Sequence, residues 1–205
     1  GEARYCSRIH RDGQYSLWLT GRGFIDATNR NIGRLVREGI DLNYNHLLGL
    51  GSAGFLAMDL MGSYLLQNRF NDPSVDFDCT GYFGWTCGRT HPIWRHRFRA
   101  TWESNFRLNL SLAWRYMHSV EIDIASPNPL LANPGFLAFL QSHDLDIFPA
   151  YNWFDFAASY TFRSGIKLTA GVNNILDEDP HVPWSFYGTY DPLGRYIFGS
   201  VQFNF

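Results

Sequence analysis

The chain has 205 residues, enough for one domain, and 18% of them are charged, against about a quarter in ordinary soluble proteins. With a formal net charge of -2 it offers no electrostatic footing for nucleic acid or an anionic surface as partner. Aromatic residues reach 17%, which suits interfacial girdles better than a compact core. No apolar run approaches the roughly 18 residues of a membrane helix, so any membrane crossing must use strands.

The opening Gly1-Glu2-Ala3-Arg4-Tyr5-Cys6 has no initiator Met, charged n-region or apolar h-region, and reads as the middle of a longer protein. Residues 1 to about 30 are irregular, with a turn at Arg11-Asp12-Gly13 and a short strand expected over Tyr15 to Thr20. Alternation starts at Gly39: Ile40, Leu42 and Tyr44 oppose Asp41, Asn43 and Asn45. A glycine-rich turn over 49–54 follows. Leu56, Met58, Leu60, Gly62, Tyr64 and Leu66 then share one face, with Ala57, Asp59, Met61 and Ser63 on the other. Residues 68–91 read as a long loop holding Cys79 and Cys87.

Trp94, His96, Phe98, Ala100 and Trp102 alternate with Arg95, Arg97, Arg99 and Thr101. After a turn at Glu103-Ser104-Asn105 comes the cleanest strand, Leu108, Leu110, Leu112, Trp114 and Tyr116 against Asn109, Ser111, Ala113, Arg115 and Met117. A loop covers about 124–149. Asn133-Pro134-Gly135 ahead of Phe136 to Leu140 predicts a short helix there, capped by Asn133 with Pro134 in its first turn. Alternation returns over 153–162, turns at Arg163-Ser164-Gly165, and continues through Ile166, Leu168, Ala170 and Val172. A third loop, about 176–191, precedes a last strand in which Ile197, Gly199, Val201, Phe203 and Phe205 share one face.

Seven strands of about 10 to 15 residues are thus expected, forming one antiparallel sheet that does not close on itself. Turns near 50, 104 and 164 are short and those near 80, 135 and 184 long. Transmembrane barrels alternate in this way, with short periplasmic turns and long extracellular loops. A soluble β-sandwich binding module would also show alternating strands, and a passive outer-membrane channel would share the whole pattern.

Asn31-Ile32-Gly33 followed by Gly39-Ile40-Asp41, then Val172-Asn173-Asn174-Ile175-Leu176-Asp177, and the final aromatic strand resemble the C-terminal third of TonB-dependent outer-membrane receptors. Trp94-Arg95, Trp114-Arg115-Tyr116 and Tyr190-Asp191-Pro192-Leu193-Gly194-Arg195-Tyr196 look like the Oar-like branch of that family. The resemblance runs over residues 1–205, with 1–30 as an extracellular loop and 31–205 as strands and loops. It implies an all-β segment of a larger, plugged barrel of about 22 strands, integral to the bacterial outer membrane, with the plug domain absent from this chain. It implies active uptake of a scarce nutrient, a siderophore, carbohydrate or similar. The implied partners are TonB, the β-barrel assembly machinery, the lipid bilayer and a small-molecule or oligosaccharide ligand.

In an oxidising outer compartment, Cys79 and Cys87 are expected to pair, with Gly81, Gly84 and Gly88 letting the chain turn, and Cys6 to find its partner upstream. The closing row Val201, Phe203 and Phe205 is expected to serve as the assembly signal, read as an extended peptide. Arg95, Arg97, Arg99 and Arg115 share the polar, lumen-facing side of two adjacent strands. They either pair with carboxylates such as Asp59 and Asp155 or line the lumen for an anionic ligand.

Other motifs carry less. Gly49, Gly51 and Gly54 match a dinucleotide fingerprint, but the preceding strand is half polar and no βαβ unit follows, so a flexible turn is the better reading. His91 and His96 are five apart, on opposite strand faces, and cannot share a metal. Asp177-Glu178-Asp179 reads as a solvated loop entrance rather than a calcium site. No nucleophile, base and orienter are recognisably arranged, so neither an enzyme nor a cofactor is expected.

Overall fold

The structure, a computed structural model, describes residues 6–28, 31, 33–72, 75–179 and 194–203. The chain divides into two compact units, 1–33 and 34–205. In the first, β1 (Ile9–His10) pairs antiparallel with β2 (Phe24–Ile25), and the His10 ring stacks on Phe24 at 4.3 Å. The strand expected over Tyr15 to Thr20 does not form. Asp12 Oδ1 accepts from the N–H groups of Gln14 and Ser16 at 2.9 and 2.8 Å, and Asp12 Oδ2 from the Thr20 hydroxyl at 2.6 Å. Ser16 Oγ accepts from the N–H groups of Trp18 and Leu19. Side-chain oxygens have taken donors that a ladder would need.

The second unit contains, in chain order, β3 (Arg34–Gly49), β4 (Phe55–Asp72), β5 (Val75–Asp78), β6 (Tyr82–Phe83), β7 (Trp94–Glu103), β8 (Leu108–Met117), β9 (Val120–Ile122), α1 (Pro134–Gln141), β10 (Ile147–Phe148), β11 (Tyr151–Thr161), β12 (Ile166–Asn173) and β13 (Tyr196–Phe203). The main sheet runs β13-β12-β11-β8-β7-β4-β3 with every neighbour antiparallel; β5 adds an eighth strand beside the end of β4. These seven are the strands expected from the alternation. β7 has 10 residues, about 30 Å at the usual rise, enough to cross a hydrocarbon core. Among the described residues no helix is long and apolar enough to do so.

The register carries the alternation across the sheet in rows. His46, Met58, Ala100, Leu112, Phe156, Val172 and Ile197 lie side by side on one face, with Leu48, Leu56, Trp102, Leu110, Ala158, Ala170 and Gly199 in the next row. On the other face Asn43, Met61, Arg97, Arg115 and Trp153 form a row, and Asn45, Asp59, Arg99, Ala113 and Asp155 the next. One face is therefore apolar and aromatic, the other polar. The apolar face stays bare: Leu42, Tyr44, Tyr64, Leu112, Phe156, Leu168, Ile197 and Val201 are all exposed. A β-sandwich would bury such a face under a second sheet. The other sheet of this unit, β10-β9-β6, packs elsewhere; its core shares Met117, Tyr151 and Trp153 with the polar side.

Short connections set the register. The β3–β4 turn uses Gly51 (φ 59°) and Gly54 (φ 101°), and a Cβ on Gly54 would collide with the Glu103 carbonyl of β7. This turn joins two antiparallel strands through a 3-10 turn, so the fingerprint spacing of Gly49, Gly51 and Gly54 serves chain reversal. Trp102 Nε1 donates to Ala53 O at 2.9 Å, and Asn105 Nδ2 to Ser52 O at 3.1 Å, tying this turn to the next.

At the other end the chain departs from the expected open loops. β3 begins at Arg34 rather than Gly39, because a register shift at Glu38/Gly39 interrupts the alternation. Residues 68–91 are structured: β4 runs to Asp72 and pairs with β5. β6 pairs parallel with β9, and β9 antiparallel with β10, over a core of Phe83, Val120, Ile122, Leu140, Phe148 and Trp153. The helix foreseen from Asn133-Pro134 is α1, whose Asn133 Oδ1 accepts from Phe136 N–H at 3.2 Å.

On the apolar face the Trp94 indole lies directly over Gly62, where a Cβ would overlap the ring. Gly62→Val should lower stability by about 1–3 kcal/mol by displacing that indole. Gly49→Val, at a position with open space around it, should leave stability near the parent value. Denaturation midpoints of the full-length protein in detergent check both.

Candidate functional site

β7 places Arg95, Arg97 and Arg99 at every second position, and β8 places Arg115 directly opposite Arg97. Like charges facing each other across a strand pair repel, so the disposition of carboxylates decides what this wall can do. Arg115 is neutralised. Its Nη2 donates to Asp155 Oδ1 at 3.2 Å and its Nε lies 3.1 Å from Oδ2, off hydrogen-bond alignment. The guanidinium also sits 5.6 Å from the Trp153 ring centre. Asp155 Oδ1 accepts in addition from Asn174 N–H at 3.0 Å, so this carboxylate is held by a neighbouring strand and a loop.

The other three arginines differ. Arg99 stands opposite Asp59 in the register without an ion pair forming. Among the described residues Arg95, Arg97 and Arg99 have no carboxylate within 4.0 Å, and all three are exposed. The pairing foreseen from the sequence thus applies to Arg115 and Asp155 alone. Arg95 and Arg97 line a cavity of about 720 Å³ together with Arg115, Asn43 and Ser63 from the sheet and Arg89 and Thr90 from the loop before β7. Asp41 is the one carboxylate on its lining. With Arg115 paired to Asp155, three guanidinium groups, Arg89, Arg95 and Arg97, stand against the one carboxylate of Asp41 and make it an anion-attracting space.

The loop carrying Arg89 is fastened twice. A disulfide joins Cys79 to Cys87 with the Cα atoms 5.5 Å apart. Gly84, within the bridged segment, pairs with Gly88 just beyond it as a narrow hairpin, and Asp123, 1% exposed, reaches in from the 118–149 loop. Its Oδ2 accepts from the N–H groups of Thr86 at 2.7 Å and Cys87 at 3.0 Å. Only glycine fits at 84, since a Cβ would overlap the Asp123 carboxylate, and φ there is 145°. Asp123 escaped the sequence reading; a lone acid between Ile122 and Ile124 was the available signal. Arg89, Asn43 and Asp41 escaped it too, because the fold alone brings them to the arginines.

His91 closes the same loop by donating from Nε2 to Cys87 O at 3.1 Å. Burial is the main influence on it and, with nearby Arg37, lowers its pKa below the usual value near 6.5, against opposing effects of the Cys87 bond and Asp78. Asp78 is partly buried, which alone would raise its pKa. Hydrogen bonds from the Thr80 hydroxyl and N–H and from Asn68 N–H outweigh that and hold it below the ordinary carboxylate range.

The acidic run after β12, Asp177 to Asp179, is exposed, as expected of a solvated loop entrance. Asp177 Oδ1 accepts from Arg195 N–H at 2.8 Å and Oδ2 lies 3.5 Å from the Arg195 guanidinium. Among the described residues no three His, Cys, Asp or Glu side chains gather to hold a metal. In the closing strand Val201 pairs with Leu168 and Phe203 with Ile166 on the apolar face; Phe205 lies outside the described residues. Cys6 is an exposed free thiol.

Asp123→Ala should release the Thr86 and Cys87 amides and destabilise the hairpin by about 1–3 kcal/mol. Amide exchange should rise over 84–91 and stay unchanged in β8 and β11. For His91 the sign follows from its depressed pKa: the unfolded loop binds the proton first as pH falls below about 6.5, so stability present above that pH is lost toward acid. Exchange-derived opening free energies for 79–91 should fall between pH 7 and pH 5, and His91→Gln should flatten that dependence.

No family model matches the chain, and no curated protein matches it. Among solved structures, two variant crystal structures of the ferric enterobactin receptor PfeA from Pseudomonas aeruginosa match with a TM-score of 0.50 and 16% identity. Each alignment covers 82% of this chain and 22% of that receptor, so the chain spans about a fifth of its length. At this identity the likeness establishes the fold, an antiparallel run of strands like part of a receptor barrel.

Proposed function

We propose that the chain is the C-terminal part of a TonB-dependent outer-membrane receptor that actively imports a scarce, anionic nutrient, with Arg89, Arg95, Arg97 and Arg99 as the cationic wall facing it. One observation carries this reading: the sheet is apolar on one face and holds unneutralised arginines around a large cavity on the other. Water penalises so wide a bare apolar face, whereas lipid covers it without cost. The indole N–H groups on that face are satisfied within the protein, Trp102 by Ala53 O, Trp114 by Asn152 Oδ1 at 3.0 Å and Trp94 by His96 Nδ1 at 2.9 Å. Lipid contact leaves none of them stranded.

In this orientation the short turns are periplasmic and the disulfide-bearing loops extracellular. The Oar-like branch, a plug domain, TonB as energy source and the assembly machinery acting on Val201, Phe203 and Phe205 belong to the same reading. The likeness to a receptor of ferric enterobactin supports import of a solute; the solute here is argued from the arginines.

The test uses the full-length protein in cells. Uptake of the anionic nutrient should stop when TonB is absent. The double substitution Arg95→Gln with Arg97→Gln should cut uptake about tenfold or more, equivalent to about 1.4 kcal/mol or more of lost binding, with surface levels unchanged. Uptake that persists without TonB would identify a passive channel instead.

A further inference from the structure

Trp85, at the tip of the Cys79–Cys87 hairpin, is 62% exposed, yet its ring sits 5.5 Å from that of Phe136 on α1. Phe136 lies 5.8 Å from Phe139 with the ring planes 14° apart, and Phe139 lies 4.5 Å from His143. Four rings from two loops thus stand in single file. Burial does not account for them, since Phe139 is 52% exposed. Both supports are rigid: the hairpin is held by its disulfide and by Asp123, and α1 by Leu140 and Leu137 in the loop core. Rings held in place while still open to solvent are pre-organised to take a ligand at low entropic cost.

The chemistry at the file narrows what fits. The file ends on the exposed imidazole of His143, and α1 contains no Lys or Arg. A row one ring wide, with a polar ring at its end, suits a ligand with apolar faces and hydroxyl-bearing edges. Successive sugar rings have this character, and the centre-to-centre spacing of the file is close to one hexose advance along an extended glycan. From Trp85 the same hairpin continues to Arg89 and Thr90, which line the cavity with Arg95 and Arg97. Along one stretch of chain a ligand would meet rings and then cations.

We infer that the ligand is an acidic oligosaccharide, its sugar rings stacking on Trp85, Phe136 and Phe139 and its carboxylates reaching Arg89, Arg95 and Arg97. This rests on the receptor reading above and names the substrate class for it.

The experiment is calorimetric titration of the full-length protein in detergent with hexamers of galacturonate, mannuronate and glucose. At least one of the two uronate hexamers should bind, more weakly at high salt, and the neutral hexamer at least tenfold less tightly. Phe139→Ala and Trp85→Ala should each weaken the uronate about tenfold, while Phe139→Tyr, which keeps the ring, should retain binding. Unchanged denaturation midpoints for the alanine variants exclude misfolding. Failure of both uronates to bind, or binding indifferent to Phe139→Ala and Trp85→Ala, overturns the inference. In that event the receptor reading still stands if TonB-dependent uptake of another anion requires Arg95 and Arg97.

Discussion

Parity is the constraint on which this structure depends. Side chains of a strand alternate faces, so one residue gained or lost in a turn would exchange the two faces of the next strand. Three short turns hold the count, and the first two are fastened to each other rather than left free. Gly54 lets the β3–β4 turn press on Glu103, while Trp102 and Asn105 donate hydrogen bonds back into that turn. Because the count holds, four arginines from two strands meet on one side, and the bulky apolar residues of seven strands meet on the other. The chemistry of the polar wall is therefore a product of turn geometry as much as of the residues on it.

The long-loop end solves a different problem. Its segments have no ladder long enough to be stable alone, so they share a small core and borrow Met117, Tyr151 and Trp153 from the sheet. Asp123 stitches the hairpin to this core with two backbone hydrogen bonds. Burying a carboxylate is costly unless its donors are already in place, and the hairpin presents two adjacent N–H groups to it. The cavity wall formed by Arg89 and Thr90 takes its position from that bond network.

The main strands were legible because alternation over eight or more residues leaves little choice of face. What escaped was structure without a local period: the strand ends beyond the register shift, the short loop strands and the residues that only the fold brings together. The 15–20 segment has strand-like residues, but nearby Asp12 and Ser16 carry oxygens that capture its amides. β6, β9 and β10 have two or three residues each, too few for any repeat to show, and the parallel pairing of β6 with β9 joins distant segments. Asn133-Pro134 announced α1 because capping is a local event. For the arginines, sequence gave residue identity and face; that Arg115 alone finds a carboxylate depends on Asp155 arriving from β11.

The register shift at Glu38/Gly39 has a further effect. Leu66 is the extra residue of β4 there, and beyond it the even-numbered side chains change sides. Leu56, Leu60 and Tyr64 belong to the bare apolar face, but Phe70 stacks on Phe77 at 5.6 Å and packs with Cys79 and Leu131 beneath the loops. A continuous apolar row is thus split into a bare portion and an interior portion by one residue, with no change in the hydrophobicity of the sequence. Gly39 permits the close approach, since a Cβ there would come within 2.7 Å of Tyr64 O. Which apolar side chains stay bare and which become core is in this sense written in residue count: the same leucines and phenylalanines, shifted by one, would leave Phe70 on the bare face and take it from the core beneath the loops.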